Sequence, residues 1–506
     1  MVAPERPAVE GAVENQVAVH GEVVRSPKTP LLSRPALAAI TVLVLAAIAH
    51  FAPGLERVRL FAHPPSAPGR APVPKPVLTV GEAKLQTESR EQPGMEQPEN
   101  IELPTGNTGP IAEKHADLPP IDVKKPPVPI IDPGGKALDG FYESLYRTAQ
   151  KQPHAITRVI HFGDSIVTSD YVSGTLRRKL QKQFGDAGPG FSLIANAWPA
   201  YFHNDVYRFA SRGWRVSRIV GPLTPDALYG MGGVSFRAPP GARARFGTAK
   251  HGHFGRKVSR FEIDYLEQPG GGKLKINLDG KPWGVIDTNG PGKKTVEKTI
   301  DVPDGAHMLE IVTRGGTYSR AFGVVMERDV PGVVLDAIGV QGARVRFLDK
   351  VDDEQWAEQL EWRSPNLMIY EFGANESGDN FAYPMKDYHR TLKAVLEQGR
   401  KAVPGAGCLV LAAMDRAEKH GDTLRTMPVI PALVKEQKSA SAEAGCAFWN
   451  TFKAMGGYGS MASWVRRGLG QADLTHPTGS GSEVLGSWIY RALMDGYQKH
   501  LKQKHP

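Results

Sequence analysis

Beyond about Gly135 the chain alternates short apolar runs with stretches of helical period. The runs at 158–162, 332–340, 366–372, 408–414 and 446–452 are apolar enough to be strands buried on both faces. Helix-like stretches follow several of them, at 170–184, 383–403 and 428–444, and 482–501 closes the chain with Val484, Leu485, Trp488, Ile489 and Leu493 at helical spacing. This order predicts an α/β fold, an open parallel sheet with helices on both faces. Between 201 and 330 the period changes. Segments at 258–265, 273–278, 295–302 and 307–313 alternate in polarity and are separated by Gly, Pro and Asp-Gly turns, which predicts an all-β sandwich. It interrupts the α/β unit between its first and second strands, so that unit is expected in two pieces, 135–200 and 331–506.

The N-terminal part has a different pattern. Residues 1–35 are polar, with Arg25, Lys28 and Arg34 nearest the next segment. From Ala36 to Ala52 no formally charged residue occurs, and as a helix these residues would span about 26 Å, just enough to cross a bilayer. The run is expected to be an uncleaved signal-anchor with residues 1–35 in the cytoplasm and the rest outside. A signal peptide cleaved near Ala49 or Ala52 is the alternative. Seventeen prolines between Pro53 and Pro133 prevent a periodic apolar face, so 53–134 reads as an extended tether.

The 506 residues, 41% hydrophobic, exclude a wholly disordered or small disulfide-stapled protein. A net charge of +9 is too small for this length to name a partner. No strip of clustered Arg and Lys interleaved with aromatic residues argues for nucleic acid. Cys408 and Cys446 have no metal-ligand spacing; two buried thiols are expected, with a bridge open if the side chains face one another.

Four candidate pieces of chemistry lie at strand ends or in a loop. Gly163-Asp164-Ser165 comes after the first strand, where an open α/β sheet binds ligands and a serine hydroxyl would face the crevice. A serine nucleophile needs a base, and the base needs an orienting group. Asp473-Leu-Thr-His476, in the loop before the last helix, supplies both. The same spacing recurs at Asp304 and His307, inside the β insert, where it is expected to be a decoy. Asn375, in Tyr370-Glu371-Phe372-Gly373-Ala374-Asn375-Glu376, would offer its amide to an oxyanion, and Gly342, in Gly339-Val340-Gln341-Gly342-Ala343, its N–H.

Taken in order, these four pieces resemble the SGNH (GDSL-type) hydrolase superfamily. The resemblance implies a flavodoxin-like parallel sheet, with Ser165 as nucleophile, His476 as general base and acid, and Asp473 as its orienting carboxylate. It implies an oxyanion hole of the Ser165 N–H, the Gly342 N–H and the Asn375 side chain. The strings GDSIVTSDYVSGTLRRKLQKQFGDAGPGF and AGCAFWNTFKAMGGYGSMASWVRRGLGQADLTHPT, with the insert before GVQGA, are similar to bacterial peptidoglycan O-acetylesterases that carry an inserted carbohydrate-binding-type, jelly-roll-like sandwich. Two departures are Glu376, where many members have Asp, and Leu-Ala-Ala-Met before Asp415.

The resemblance further implies a serine esterase acting on the 6-O-acetyl of N-acetylmuramic acid in peptidoglycan, without metal or organic cofactor. Its alternatives are an O-acetyltransferase using the same serine and a non-catalytic glycan-binding envelope protein. Candidate sugar contacts are Trp283, Tyr265 and Tyr318 in the insert; His203, Arg212, Trp214 and Tyr229 on the way into it; and Trp464 and Arg466 before Asp473.

Overall fold

The five apolar runs form one parallel sheet. The computed structural model describes residues 95–96, 122–199 and 201–505. Its parallel strands are Ile156–Gly163, Gly332–Gly339, Leu367–Glu371, Gly407–Leu411 and Ala447–Trp449. Across the sheet the second strand comes first, then the first, third, fourth and fifth, the flavodoxin-like order. Alternate strand residues enter two different cores. Val159, Leu335, Ile369 and Leu409 pack with Leu176 and Leu180 of the Tyr171–Phe184 helix and Leu485, Ile489 and Leu493 of Gly479–Lys504. Ile160, Met368, Tyr370 and Val410 pack with Leu392 and Val395 of Met385–Ala402 and Ile430 and Leu433 of Val429–Glu443. Both sheet faces are therefore apolar, which is why each strand reads as a continuous run.

The insert consists of two antiparallel sheets sharing one core. Val206–Ala210, Arg243–Thr248, Met308–Arg314, Lys273–Leu278 and Lys281–Asp287 are neighbours in that order in one sheet. Lys294–Gly305, Val258–Glu267, Ser319–Glu327, Val234–Ala238 and Arg215–Arg218 form the other. Gly190–Leu193, left by the sequence pattern with the first α/β piece, pairs instead with Ser319–Glu327 of the insert. A buried ion network joins the insert to the α/β unit. Arg363, ending the Asp353–Arg363 helix, meets Asp336 of the second parallel strand and Glu327 of the insert; Glu327 also takes Arg158 at 2.8 Å, and Asp336 accepts the Phe191 N–H.

Two features differ from the sequence expectation. Cys408 and Cys446 form a disulfide rather than two thiols. Parallel pairing of Leu409 with Ala447 brings the preceding residues together on neighbouring strands, a register invisible in the sequence. The end of the proline-rich stretch is also docked: Ile131 bridges antiparallel to Phe448, and the carbonyls of Val128 and Asp122 accept the indole N–H groups of Trp449 and Trp488. It covers the outer edge of the last strand, which would otherwise expose unpaired backbone. The apolar run 36–52 and most of the tether lie outside the described residues; among those described, no helix is long and apolar enough to cross a membrane.

Candidate active site

In this strand order the chain reverses direction across the sheet between the first and third strands, and the crevice at their carboxyl ends is the expected ligand site. Gly163 ends the first strand in a space no side chain could share: a Cβ would lie 2.4 Å from a Val167 methyl carbon and 2.7 Å from the Glu371 carbonyl. Asp164 then caps the short helix Ser165–Thr168, its Oδ1 accepting the Ile166 N–H at 3.1 Å. Ser165 is the first helical residue, so its N–H has no intrahelical acceptor.

The Asp473–His476 loop is held by its own backbone. Asp473 Oδ1 accepts the N–H groups of Thr475 and His476, both at 3.0 Å, with Leu474 in the left-handed region at φ 60°. That leaves Oδ2 for His476 Nδ1 at 2.6 Å. Gln471 donates its N–H to the His476 carbonyl, and Thr478 caps the terminal helix while bonding the Gly468 carbonyl. With Nδ1 turned to Asp473, His476 presents Nε2 to Ser165 Oγ at 2.7 Å, across 311 positions of chain. The decoy behaves otherwise: His307 pairs with Asp279 at 2.8 Å, and Asp304 pairs with Arg328.

Asn375 and Gly342 follow the carboxyl ends of the third and second parallel strands. Asn375, in the short helix after the third strand, donates through Nδ2 to the Ala343 carbonyl at 3.0 Å and to Asp164 Oδ2 at 3.3 Å. Gly342 comes after the second strand at φ 82°, a conformation suited to glycine. Ser165, His476, Gln341, Tyr171 and Gln471 line a cavity of about 210 Å3.

The electrostatics divide the carboxylates. Partial burial alone would raise Asp473, but hydrogen bonds from His476 and Thr475 hold it down at about 2. The hydrogen bond to Asp473 raises His476 above its ordinary 6.5, with the Asp164 charge adding to it. Asp164 is pushed up to about 7 by burial, aided by Glu376 and Glu371. Glu376, also buried, rises to about 7 while its Oε1 accepts the Val345 N–H. Beneath the turn, His161 Nε2 lies 3.0 Å from Glu371 Oε2, and Ser173 Oγ meets His161 Nδ1 at 2.9 Å.

Several expected sugar contacts are structural. Trp214 and Trp464 are buried, their indole N–H groups bonded to the Arg243 and Met455 carbonyls. Tyr229 and Tyr265 are buried, Tyr229 accepting the Thr224 N–H. His203 is enclosed with the Asp170–Arg177 pair, and burial with the Arg177 charge lowers its pKa. Trp283, Arg212 and Arg466 are exposed, and Tyr318 lines a groove of the insert. Sequence reasoning assigned no role to Asp164, Gln341, Tyr171 or Gln471. Asp164 and Gln341 sit inside the short motifs and Tyr171 and Gln471 inside the longer strings around them, which was the available signal; only folding brings them to one site.

No family model matches the sequence, and no curated protein matches it. Among solved structures, a peptidoglycan O-acetylesterase superposes with a TM-score of 0.63 at 20% identity, covering 73% of this chain and 99% of that one. A family two carbohydrate esterase from Clostridium thermocellum in complex with cellohexaose (TM-score 0.23, 11% identity, 53% and 98% covered) and the salicylyl-acyltransferase SsfX3 (0.26, 11%, 56% and 96%) are far looser matches. The chain thus shares the fold of that O-acetylesterase, in keeping with the α/β sheet and β insert expected from the sequence.

Proposed function

We propose that the protein is a serine esterase that removes O-acetyl groups from a cell-envelope polysaccharide, with the 6-O-acetyl of N-acetylmuramic acid in peptidoglycan as its target. The observation that carries this reading is the continuous hydrogen-bonded line Ser165 Oγ, His476 Nε2, His476 Nδ1, Asp473 Oδ2, at 2.7 and 2.6 Å, opening into a cavity. The fold shared with a peptidoglycan O-acetylesterase supports it.

In this mechanism His476 accepts the Ser165 proton as Oγ attacks the acetyl carbonyl carbon, and Asp473 stabilises the imidazolium. The N–H groups of Ser165 and Gly342 and the Asn375 amide receive the oxyanion. His476 then protonates the departing sugar hydroxyl. Water, deprotonated by His476, attacks the acetyl-enzyme and releases acetate, returning the proton to Ser165. His476 carries every proton in this scheme, between Ser165, the sugar oxygen and water, while Asp473 keeps its charge.

The reading extends to location. The apolar run 36–52 serves as a membrane anchor and the tether carries the catalytic domain into the envelope, an oxidising compartment where the Cys408–Cys446 disulfide persists.

The test is acetate release from O-acetylated peptidoglycan by the full-length chain and by Ser165→Ala. Release by the first and not the second is expected. No release from the polymer with turnover of a simple aryl acetate would replace hydrolysis of peptidoglycan with acetyl transfer or a different polysaccharide.

A further inference from the structure

The outer face of the second insert sheet carries a row of arginines. Arg215 lies directly opposite Arg237 on the neighbouring strand, and Arg237 directly opposite Arg320 on the next. Val216 and Phe236, one position along, turn into the core, so strand alternation holds the three guanidinium side chains on the opposite face. Directly opposed like charges destabilise a sheet. Arg320 is compensated: Asp226 accepts from it at 2.8 and 3.0 Å and also takes Lys293. Arg215 and Arg237 are exposed and meet no carboxylate among the described residues; Arg237 lies over the Tyr318 ring, 4.9 Å from its centre.

These side chains line a groove of about 430 Å3. Four cations and one carboxylate leave it a surplus of three positive charges. The next row of the same face is Ser217 opposite Ser235, and the rim is apolar at Pro222 and Leu223. A sheet that accepts two uncompensated, facing arginines over a concave, hydroxyl-bearing surface has the features of an anion site.

We infer that this groove binds carboxylate-bearing segments of the wall polymer, the free carboxylates of its peptide stems, with Arg215 and Arg237 as the ligating pair. The identity of the polymer rests on the proposed function; the charge and shape of the groove do not. Guanidinium groups grip carboxylates bidentately, and an extended stem offers more than one such group to the row. Binding there holds the polymer on the insert while the acetylated sugar is processed at Ser165.

The test uses the full-length chain carrying Ser165→Ala, so that the polymer is unaltered, sedimented with insoluble peptidoglycan at low salt. Arg215→Gln with Arg237→Gln should weaken binding about tenfold or more, as expected for losing charge-assisted bonds. Binding by the parent should fall similarly at high salt, or on strands from which an amidase has removed the stems. On the Ser165 background the same pair should leave turnover of a soluble aryl acetate unchanged, and Arg215→Gln should keep or raise Tm because a repulsion is removed. Undiminished binding by the double variant, equal binding of stem-free strands, or a fall in Tm with Arg215→Gln would overturn the inference. Tighter binding of polyphosphate than of stem-bearing peptidoglycan would do the same and make the groove a phosphate site. Arginine-dependent binding of stem-bearing peptidoglycan with no acetate release from it would sustain the groove and overturn the esterase reading.

Discussion

Asp164 and Asn375, 211 positions apart in the chain, share a hydrogen bond of 3.3 Å across the head of the sheet. The other bond of the same amide, to the Ala343 carbonyl, is shorter at 3.0 Å. An oxyanion arriving beside Ser165 would therefore displace Asp164 and leave the Asn375 side chain anchored by Ala343. Asn375→Ala should lower kcat about 100- to 1000-fold, the usual worth of one oxyanion donor, with little change in KM. Asn375→Asp, which keeps the shape but accepts rather than donates when ionised, should do no better. Steady-state kinetics on an aryl acetate separates these outcomes.

Asp473 and Asp304 have the same spacing to a histidine, and the structure gives them different work. Asp473→Asn should lower kcat about 10⁴-fold by stabilising the wrong His476 tautomer. His307→Ala should leave turnover unchanged, because that ring serves Asp279 within the insert. Equal losses from the two would mean that the base has been misassigned.

A histidine accepts a proton only when neutral, and the pKa of His476 is raised by its hydrogen bond to Asp473. The acid limb of kcat/KM should therefore have its midpoint above 6.5 and move to lower pH in Asp473→Asn. The pair also links to stability. Raised His476 stabilises the fold below its unfolded value of 6.5, an effect lost as pH rises through the folded value. Depressed Asp473 stabilises it above 3.8, an effect lost as pH falls towards about 2. Their joint contribution should be largest between those unfolded values, and Tm measured against pH for Asp473→Asn and its parent should differ most there.

Joining Cys408 to Cys446 closes a loop with a sequence separation of 38. Removing both thiols, as Cys408→Ala with Cys446→Ala, should cost about 2–4 kcal/mol. Denaturant unfolding of the double variant checks this, and reductant should lower the midpoint of the parent but not of the variant.

Arg363 is buried between Asp336 and Glu327, so truncating it leaves Asp336 without a cation and Glu327 with Arg158 alone. Arg363→Ala should destabilise the fold by about 3–5 kcal/mol. Because Glu327 belongs to the insert and Asp336 to the parallel sheet, the loss should appear as earlier unfolding of both rather than as a change at Ser165. Thermal unfolding followed by hydrogen exchange in the two regions distinguishes these.

The five parallel strands and the helices after the first, third and fourth were legible because burying both faces leaves a continuous apolar run and an amphipathic helix repeats locally; Asp353–Arg363, after the second strand, was not among the expected helices. Ser165, Asn375, Asp473 and His476 were legible because each sits in a short turn motif beside such a run. Short helices such as Ser460–Arg466 were not, since one or two turns leave too few periodic positions. Gly190–Leu193 was left with the α/β piece for a related reason: four residues, with only Phe191 and Leu193 apolar, suit either sheet.

The sequence by itself determined the order of elements, the interrupted α/β plan and the residue types available for acyl transfer, all of which depend on patterns a few residues long. Only the tertiary structure decided which histidine reaches Ser165, that Cys408 and Cys446 meet, that His203 and Trp214 are enclosed, and that Arg215, Arg237 and Arg320 stand in one row. Those facts depend on strand order and register, which bring together side chains tens to hundreds of positions apart and leave no local trace in the chain.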